Sequence, residues 1–375
     1  MEKVKLGQLT NIKTGRLDVN AENPNGKYPF FTCSKNHTYI DEYAFDGESV
    51  LVAGNGDLNV KYYNGKFNAY QRTYVIQANE NLNGKFLYYF LDSYVEKLRE
   101  QSIGGVIKYI KLGNLTDAEI PLPNLATQQR IAAILDQADA IIQNNRAIVQ
   151  KYDALTQSLF LDMFGDPVKN EKGWETKTIE QLVSKNKNSI KRGPFGGALK
   201  KEIFVEEGYL VYEQYHALNN DFSMERYFID DKKFEELKGF EVKPKDIIIS
   251  CSGVYLGKLA IVPKNAKKGI INQALLKVTI DESIMTNDFF VFHFSHKNFR
   301  EKYFDANRGA GIPNFPPMSE FKKFPFIAPP IELQNQFAER VAMIEAQKQQ
   351  AQQALAKSEE LFASLLQRAF NGELS

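Results

Sequence analysis

Basic segments without acidic residues are the part of this 375-residue sequence whose composition points to chemistry. Gln181–Lys201 holds six lysine and arginine residues and no aspartate or glutamate, and Ile247–Ile280 holds five lysines and again no acidic residue. Asn59–Gln77 combines basic residues with tyrosine, asparagine and glutamine. Lysine neutralises phosphates, whereas arginine, asparagine, glutamine and tyrosine on turns reach base edges. The three segments therefore predict surfaces that bind nucleic acid.

Turns in and beside these segments supply candidate DNA-binding residues, because glycine lets the backbone approach a phosphate. Solvated loops are the alternative for any single basic run, but runs in both halves favour two linked reading surfaces. Ser102–Lys108 and Arg308–Asn314 are further turns expected at the DNA. The candidates in the first half are Gly54, Asn55, Gly56, Lys61, Tyr63, Lys66, Asn68, Tyr70, Gln71, Arg72 and Lys108. Those in the second half are Lys191, Arg192, Phe195, Gly196, Ser252, Lys258, Lys264, Lys268, Asn272, Gln273 and Arg308.

Motifs for catalysis are missing from the sequence. The string GVYLGKL from Gly253 lacks the spacing and the Ser/Thr of a P-loop, and no GxGxxG opens a helix. The run FPPM from Phe315 departs at both ends from the Asn/Asp/Ser-Pro-Pro-aromatic loop of amino-methyltransferases. His293 and His296 are three residues apart with no acidic third ligand nearby, which favours packing over metal binding. We predict no catalytic residue, no bound metal and no cofactor held by this chain.

Composition is that of a globular protein, with 43% hydrophobic and 25% charged residues. Lys+Arg 47 against Asp+Glu 46 gives a net charge of +1, so a polyanionic partner must be met by local patches. Cys33 and Cys251 lack metal-ligand spacing and suit a reducing compartment. Met1 is not followed by a secretory signal, and no stretch approaches the roughly 18 apolar residues of a membrane helix. We therefore expect a cytoplasmic protein.

An internal repeat organises the chain. IPLPNLATQQRIAAILDQADA from Ile120 aligns without a gap with FIAPPIELQNQFAERVAMIEA from Phe326, an offset of 206 residues that matches Gln128 with Gln334. VLVAGNG from Val50 matches IIISCSG from Ile247 more weakly, at an offset of 197. The chain is thus two copies of one unit, a longer variable part followed by a helix.

Each repeat ends in a helix of about 40 residues, roughly 60 Å long at ~1.5 Å per residue. Apolar residues recur at i, i+3, i+4 and i+7, and such a long stripe must be buried. Packing of each helix on its own domain is one solution; pairing of the two as an antiparallel coiled coil with pseudo-two-fold symmetry is the favoured one, with Asn145 at the seam. The predicted interface is Ile131, Ile134, Leu135, Ile141, Ile148, Leu155, Leu159, Phe337, Val341, Ile344, Leu355, Phe362 and Leu365.

The variable parts alternate short β-rich runs with turns and helical stretches, so the fold class expected is α+β (mixed α/β) with two repeated globular recognition domains. The predicted boundaries are residues 1–125 for the first recognition domain and 126–165 for the central helix. They continue with residues 166–328 for the second recognition domain and 329–375 for the C-terminal helix.

The whole sequence resembles the specificity subunits of type I restriction–modification systems. The helix entries IPLPNLATQQRIAAILDQADAII and APPIELQNQFAERVAMIEA carry the resemblance, together with the exits LTQSLFLDMFGDP and EELFASLLQRAFNGEL. The opening VKLGQLTNIKTG and the string DIIISCSGVYLGKLAIV also look like recognition domains of that family. The Ala/Gln-rich second helix departs from the family pattern.

The resemblance implies a non-catalytic subunit that selects a bipartite, gapped site on double-stranded DNA. Each recognition domain reads one half, and the helices set the spacing. The implied partners are two methyltransferase (M) subunits and restriction (R) subunits, with no membrane. S-adenosylmethionine, ATP and magnesium are expected on those partners. Two alternatives stay open: a coiled-coil scaffold joining two protein-binding domains, and a cryptic nuclease or methyltransferase.

Overall fold

The computed structural model describes residues 2–253, 255–305 and 315–374, and the chain forms two compact units. Unit 1 comprises Met1–Val149 with Gln349–Ser375, and unit 2 comprises Gln150–Lys348. Both boundaries fall inside long helices, so each unit contains one mixed domain and part of each helix. No helix of the described ranges has the length and apolar character needed to cross a bilayer.

The domain of unit 1 is built from short strands around one long helix. Its strands are β1 (Lys3–Lys5), β2 (Thr10–Thr14), β3 (Tyr28–Phe31), β4 (Thr38–Ile40), β5 (Glu48–Ala53), β6 (Val60–Asn64), β7 (Asn68–Ala69), β8 (Thr73–Ala78) and β9 (Glu119–Pro121). Its helices are α1 (Leu6–Leu9), α2 (Gly84–Gln101), α3 (Leu112–Thr116) and the first part of α4 (Leu125–Phe164).

The sheet that positions the candidate residues of unit 1 has the order β2-β8-β5-β6, antiparallel throughout. β5 is its central strand because Val50–Ala53 is an apolar run that is buried on both faces. A second sheet has the order β4-β3-β7, and β1 pairs with β9. Helix α2 covers the first sheet with Phe86, Leu87 and Phe90.

Unit 2 repeats this construction. Its strands are β10 (Thr176–Thr178), β11 (Ile190–Arg192), β12 (Tyr209–Tyr212), β13 (Phe228–Ile229), β14 (Glu241–Val242), β15 (Ile247–Ser250), β16 (Leu259–Ile261), β17 (Gly269–Ile271), β18 (Leu275–Val278) and β19 (Pro325–Ile327). Its helices are α5 (Ile179–Leu182), α6 (Gln214–Asn219), α7 (Asp231–Glu236), α8 (Asn287–Ser295), α9 (Lys297–Arg300), α10 (Met318–Phe321) and the first part of α11 (Ile331–Asn371).

Strand order confirms the duplication. The sheet β11-β18-β15-β16 corresponds strand by strand to β2-β8-β5-β6, and β13-β12-β17 corresponds to β4-β3-β7 with β14 added at its edge. The backbone contacts agree as well: the Tyr70 amide donates to the Phe31 carbonyl at 2.9 Å, and the Asn272 amide donates to the Tyr212 carbonyl at 2.9 Å. Each variable part therefore folds as a copy of the same mixed α/β domain.

The long helices α4 and α11 run antiparallel within each unit. In unit 1, Asn145 Nδ2 donates to Ser358 Oγ at 3.2 Å, and Ile131 near the start of α4 shares a core with Ala369 near the end of α11. In unit 2, Lys348 Nζ lies 2.6 Å from Asp153 Oδ1. Asn145 occupies the seam position expected for it, and a polar pair there specifies one register.

The predicted interface of α4 is displaced by one residue over part of its length. Ile131, Leu135, Ala138 and Ile142 are buried at spacings of four, three and four residues. Ile141, Ile148 and Leu155 are exposed, so their assignment to the interface is corrected. The apolar stripe of α4 is wider than the contact between the two helices. Only the residues that repeat on average every 3.5 positions stay in contact with the partner helix along its length. Phe337 and Val341 of α11 are buried as expected.

A buried glutamine joins each long helix to its recognition domain. Gln128 accepts a hydrogen bond from the Asn83 amide at 2.8 Å and donates to the carbonyls of Asn81 at 3.1 Å and Pro123 at 2.8 Å. Asn83 is the N-cap of α2, so the side chain holds the start of that helix. In unit 2, Gln334 makes the equivalent three bonds to backbone groups.

Candidate nucleic-acid interface

Two predicted turns of unit 1 meet at one end of the sheet β2-β8-β5-β6. Gly54–Gly56 follows the central strand β5, and Tyr70–Arg72 immediately precedes β8, its neighbour. The Gly54 amide donates to the Arg72 carbonyl at 2.8 Å. Gly56 has a φ of +71°, with open space where a side chain would begin. The turn thus exposes backbone at the position where the sequence predicts close approach to a phosphate.

The Ser102–Lys108 segment joins the same edge. The Gly56 amide donates to the Lys108 carbonyl at 3.0 Å, and the Ile110 amide donates to the Gly54 carbonyl at 2.9 Å. A cavity of about 290 Å³ lies here, lined by Thr14, Gly54, Gln71, Arg72, Tyr74 and Ile110. Three segments that are separate in the sequence therefore form one surface.

Unit 2 builds the corresponding edge from different residues. The Cys251 amide donates to the Ala274 carbonyl at 2.8 Å, as Gly54 does to Arg72, and the turn ends in Gly253 with a φ of +77°. Asn272 and Gln273 occupy the places of Tyr70 and Gln71. They line a cavity of about 250 Å³ with Leu199, Lys201, Phe204, Val211, Glu213 and Tyr227. The backbone is repeated while the side chains presented on it differ.

Ser252 is positioned by a short network in unit 2. Gln214 Nε2 at the start of α6 donates to Ser250 Oγ at 2.8 Å and to the Ser252 carbonyl at 2.9 Å. The Ser252 hydroxyl lies 3.3 Å from the same amide nitrogen. Gln214, which the sequence interpretation missed, thus fixes the turn that follows β15.

Several candidate cations in unit 1 are free to meet a polyanion. Within the described ranges the Arg72 guanidinium and the Lys108 ammonium take part in no ion pair and no side-chain hydrogen bond. Lys66 lies over the ring of Tyr43 at 4.7 Å, which leaves its charge exposed. Gln71 Nε2 donates to Asp18 Oδ2 at 3.1 Å, so this side chain is held against the surface of its own unit.

Candidate cations in unit 2 lie mostly on aromatic rings. Lys191 lies 4.9 Å from the ring centre of Phe240, and Lys268 lies 4.9 Å from that of Phe234. Arg192 lies 5.5 Å from that of Phe195, which is exposed at the protein surface. Gly196 belongs to a short 3-10 helical turn next to Phe195, Lys258 and Lys264 are exposed, and Arg308 lies outside the described residues.

Three candidates on β6 and β7 have structural partners. Lys61 Nζ donates to the Thr32 carbonyl at 3.2 Å, and burial lowers the pKa of this lysine to about 8. The ring of Tyr63 packs on Phe31 at 5.2 Å, and buried Asn68 donates to the Glu42 carbonyl at 3.0 Å. These side chains support the domain interior, and their assignment to DNA stays a prediction.

One lysine of the acid-poor segment in unit 2 is internal. Lys277 of β18 is buried, and its ammonium donates to the Glu241 carbonyl at 2.6 Å and lies 3.9 Å from Asp246 Oδ2. Burial lowers the pKa of Lys277 and raises that of Asp246. Thr279 donates to the same carboxylate at 2.5 Å. The basic character of this segment is therefore partly structural.

Lys13, Thr14 and Arg16 form a basic turn that the sequence interpretation missed. Lys13 and Thr14 end β2 and Arg16 follows it, and all three line a cavity of about 950 Å³ together with Leu17, Ile40–Phe45 and Asn68. Arg16 has no ion-pair partner within the described ranges. Thr14 also lines the cavity beside Arg72, so this turn extends the same surface. The sequence Lys13-Thr14-Gly15-Arg16, in which a glycine lies among basic residues, could have predicted this turn.

Two of the four histidines, His216 and His293, pack inside the protein, whereas His37 is exposed. His293 is fully buried, its Nε2 accepts from the Ile327 amide at 3.2 Å, and burial lowers its pKa to about 3. His216 lies with its two ring nitrogens near the Glu213 and Met224 carbonyls. Over the described ranges no group of three or more His, Cys, Asp or Glu side chains is arranged to hold a metal ion.

Comparison with known proteins finds relatives for the first part of the chain. Residues 1–151 match the family model of the type I restriction modification DNA specificity domain. The EcoDI specificity subunit of Escherichia coli is 43% identical over 148 residues, which cover 40% of this chain and 33% of that protein. The chain thus spans about a third of the length of this curated relative.

Solved structures share the fold of the chain. The S subunit from M. genitalium superimposes with a TM-score of 0.58 and 18% identity, covering 98% of this chain and 96% of that one. A chain from a study of complex assembly and conformational transition of the type I R-M system gives a TM-score of 0.61 and 15% identity, over 100% and 98% of the two chains. The chain therefore shares its mixed α/β fold with the S subunit from M. genitalium and with this second chain.

Proposed function

We infer that this chain, whose residues 1–151 match the family model of the type I restriction modification DNA specificity domain, is the subunit that selects the DNA site of a type I restriction–modification complex. One observation supports this most directly: the same strand-end surface is built twice on the same backbone, with different side chains. A protein that reads two different half-sites needs such a duplicated and diverged surface.

Each surface suits duplex DNA for a chemical reason. The open glycine turns Gly54–Gly56 and Cys251–Gly253 allow a phosphate to approach the backbone. Arg72 in unit 1 is able to bind guanine O6 and N7 in a bidentate manner, whereas unit 2 has Ala274 at the matching place and offers Asn272 and Gln273 nearby. The target is therefore an asymmetric, bipartite sequence on double-stranded DNA.

The remaining assignments follow from the same proposal. The long helices α4 and α11 dock two methyltransferase subunits and set the gap between the half-sites, and restriction subunits complete the complex. The chain itself is non-catalytic and works in the cytoplasm, while S-adenosylmethionine, ATP and magnesium are bound by those partners.

In-vitro selection from random duplex DNA tests the proposal, using this chain together with the methyltransferase subunit encoded beside it. A two-part motif with a constant gap is the expected result, and binding should weaken steeply as salt rises because phosphate contacts release counterions. A complex that forms but enriches no sequence at low or moderate salt would instead support a protein-binding scaffold.

Arg72→Ala is expected to change the selection in one half-site only. Loss of a bidentate contact to guanine costs about 1–3 kcal/mol, or roughly 5- to 150-fold in discrimination, while the half-site read by unit 2 stays unchanged. Arg72→Lys keeps the charge but cannot make the bidentate contact. Compared with Arg72→Ala, it should therefore restore affinity for DNA without restoring discrimination between bases. Lys97→Ala on the exposed surface of α2 is the control. Equal loss of preference in both half-sites would contradict the assignment.

A further inference from the structure

The segment between α2 and α3 carries an unusually exposed apolar tip. Val106 is 104% exposed and Ile107 is 62% exposed, and together they define the apolar tip. Burial of such side chains stabilises a protein by about 1.5–3 kcal/mol each, and here that gain is not used within the unit. Single exposed apolar residues are common, but two adjacent ones at the end of a loop mark a contact surface.

The loop that presents the tip is held in place at its base. The Ile103 amide donates to the Tyr109 carbonyl at 3.0 Å, and the Tyr109 amide returns a bond to the Ile103 carbonyl at 2.9 Å. Gly56 donates to the Lys108 carbonyl, and Tyr74 Oη donates to the Ile110 carbonyl at 3.2 Å. The tip therefore projects from a fixed stem that is bonded to the candidate interface.

The cations around the stem, together with the apolar tip, favour a partner that is anionic at its surface and apolar inside. Lys108 directly follows the tip, and Lys111 lies three residues further on, beyond the stem. Arg72 borders the cavity next to Gly54 and Ile110, and it has no ion-pair partner within the described ranges. Asp57 on this side is paired with Arg99 at 3.0 Å, which reduces its repulsion of phosphates. Stacked base pairs between two phosphate backbones have this combination of an anionic rim and an apolar interior.

We propose that Val106 and Ile107 form a wedge that enters the duplex between two base pairs of the half-site read by unit 1. The apolar tip partly unstacks one base step while the free cations at its base bind the flanking phosphates, so the step bends or opens where the wedge enters. The wedge rests on the proposed function, because it requires DNA at this edge.

The test uses the chain in complex with its methyltransferase subunit, bound to the selected site with 2-aminopurine at successive positions. Binding of the unsubstituted complex should raise the fluorescence at one step of the first half-site, since unstacking relieves quenching. Val106→Ser combined with Ile107→Ser should abolish that rise and weaken binding about tenfold. Because both positions are exposed, the thermal unfolding midpoint of the protein should not change. Val106→Met with Ile107→Leu keeps the apolar surface and should preserve both signals.

Val19→Ser removes another exposed aliphatic side chain of unit 1, outside the segment between α2 and α3 and outside the long helices, and should leave the fluorescence unchanged. An undiminished fluorescence rise and unchanged affinity in the double serine variant would overturn the wedge while leaving the proposed function intact. Loss of complex assembly with normal DNA binding would assign the tip to a protein partner instead. Failure of the unsubstituted complex to select any site would overturn the proposed function and the wedge with it.

Discussion

Gly193→Ala is expected to lower the free energy of unfolding of unit 2 by about 3 kcal/mol or more, because a Cβ at this buried position would lie 1.8 Å from the Asn272 carbonyl oxygen. The obstacle is backbone, so no side-chain rotation relieves it. The Gly193 amide also donates to the Leu275 carbonyl at 2.8 Å, which ties β11 to the turn that carries Asn272 and Gln273. The substitution should therefore displace that turn and reduce recognition of the second half-site.

Urea unfolding followed by Trp174 fluorescence checks this expectation. The chain has one tryptophan, and its indole donates to the Phe164 carbonyl at 2.8 Å, so it reports on unit 2. Gly239→Ala is the matched control, since its Cβ would meet only Asn188 at 3.4 Å. A transition of Gly193→Ala that coincides with that of Gly239→Ala would show that the close approach does not exist in solution.

The same contact occurs in unit 1, where a Cβ on Gly15 would lie 1.7 Å from the Ala69 carbonyl oxygen. Gly15→Ala should lower the stability of unit 1, measured by circular dichroism, without moving the transition reported by Trp174. It should impair the first half-site in selection. Gly113→Ala, whose Cβ would have its nearest neighbour at 3.8 Å, serves as the control in this unit.

Gln334→Glu is expected to destabilise unit 2 by about 3–5 kcal/mol at pH 7. The Gln334 amide accepts from the Thr286 amide at 2.8 Å and donates to the carbonyls of Ile284 at 3.1 Å and Pro329 at 2.8 Å. A carboxylate of the same shape retains only the first of these bonds and directs its second oxygen at two carbonyl oxygens. Because the position is fully buried, water cannot replace the lost donors.

The loss should depend on pH in a defined direction. Burial and the facing carbonyls raise the pKa of the introduced carboxyl above its unfolded value near 4.3, so the folded state favours the protonated form. The deficit relative to the wild type is then largest at neutral pH and decreases as the pH falls through that raised pKa. Gln336→Glu, two residues further along α11 and exposed, is the control. Equal deficits at pH 5 and pH 7 would contradict this explanation.

Much of the architecture was predictable because it depends on periodicity and on the internal repeat. The offset of 206 residues that matches Gln128 with Gln334 corresponds in the structure to the same three hydrogen bonds, at 2.8, 3.1 and 2.8 Å in both copies. The apolar period predicted two helices of about 40 residues, and α4 and α11 have 40 and 41. The expected seam position of Asn145 is confirmed by its contact with Ser358.

Side-chain roles within the domains were less predictable, because exposure is decided by the fold. Lys61, Lys108 and Lys277 look alike in the sequence. The Lys108 ammonium has no ion-pair or hydrogen-bond partner within the described ranges. The Lys61 ammonium donates to the Thr32 carbonyl, and Lys277 lies in the domain interior beside Asp246. The sequence gives the number of charged residues in a segment, but the packing of the strands decides which ammonium groups face water.

The sequence by itself determined the duplication, the two helices and the turns that carry the candidate residues, since these follow from local spacing and from residue types. The tertiary structure decided which turns meet. Gly54, Arg72 and Lys108 are brought to one edge by strand pairing and by backbone bonds between residues up to 56 positions apart. It also decided the seam of α4, where Ile142 is buried and Ile141 exposed, because a helix can direct only one line of its apolar stripe at its partner.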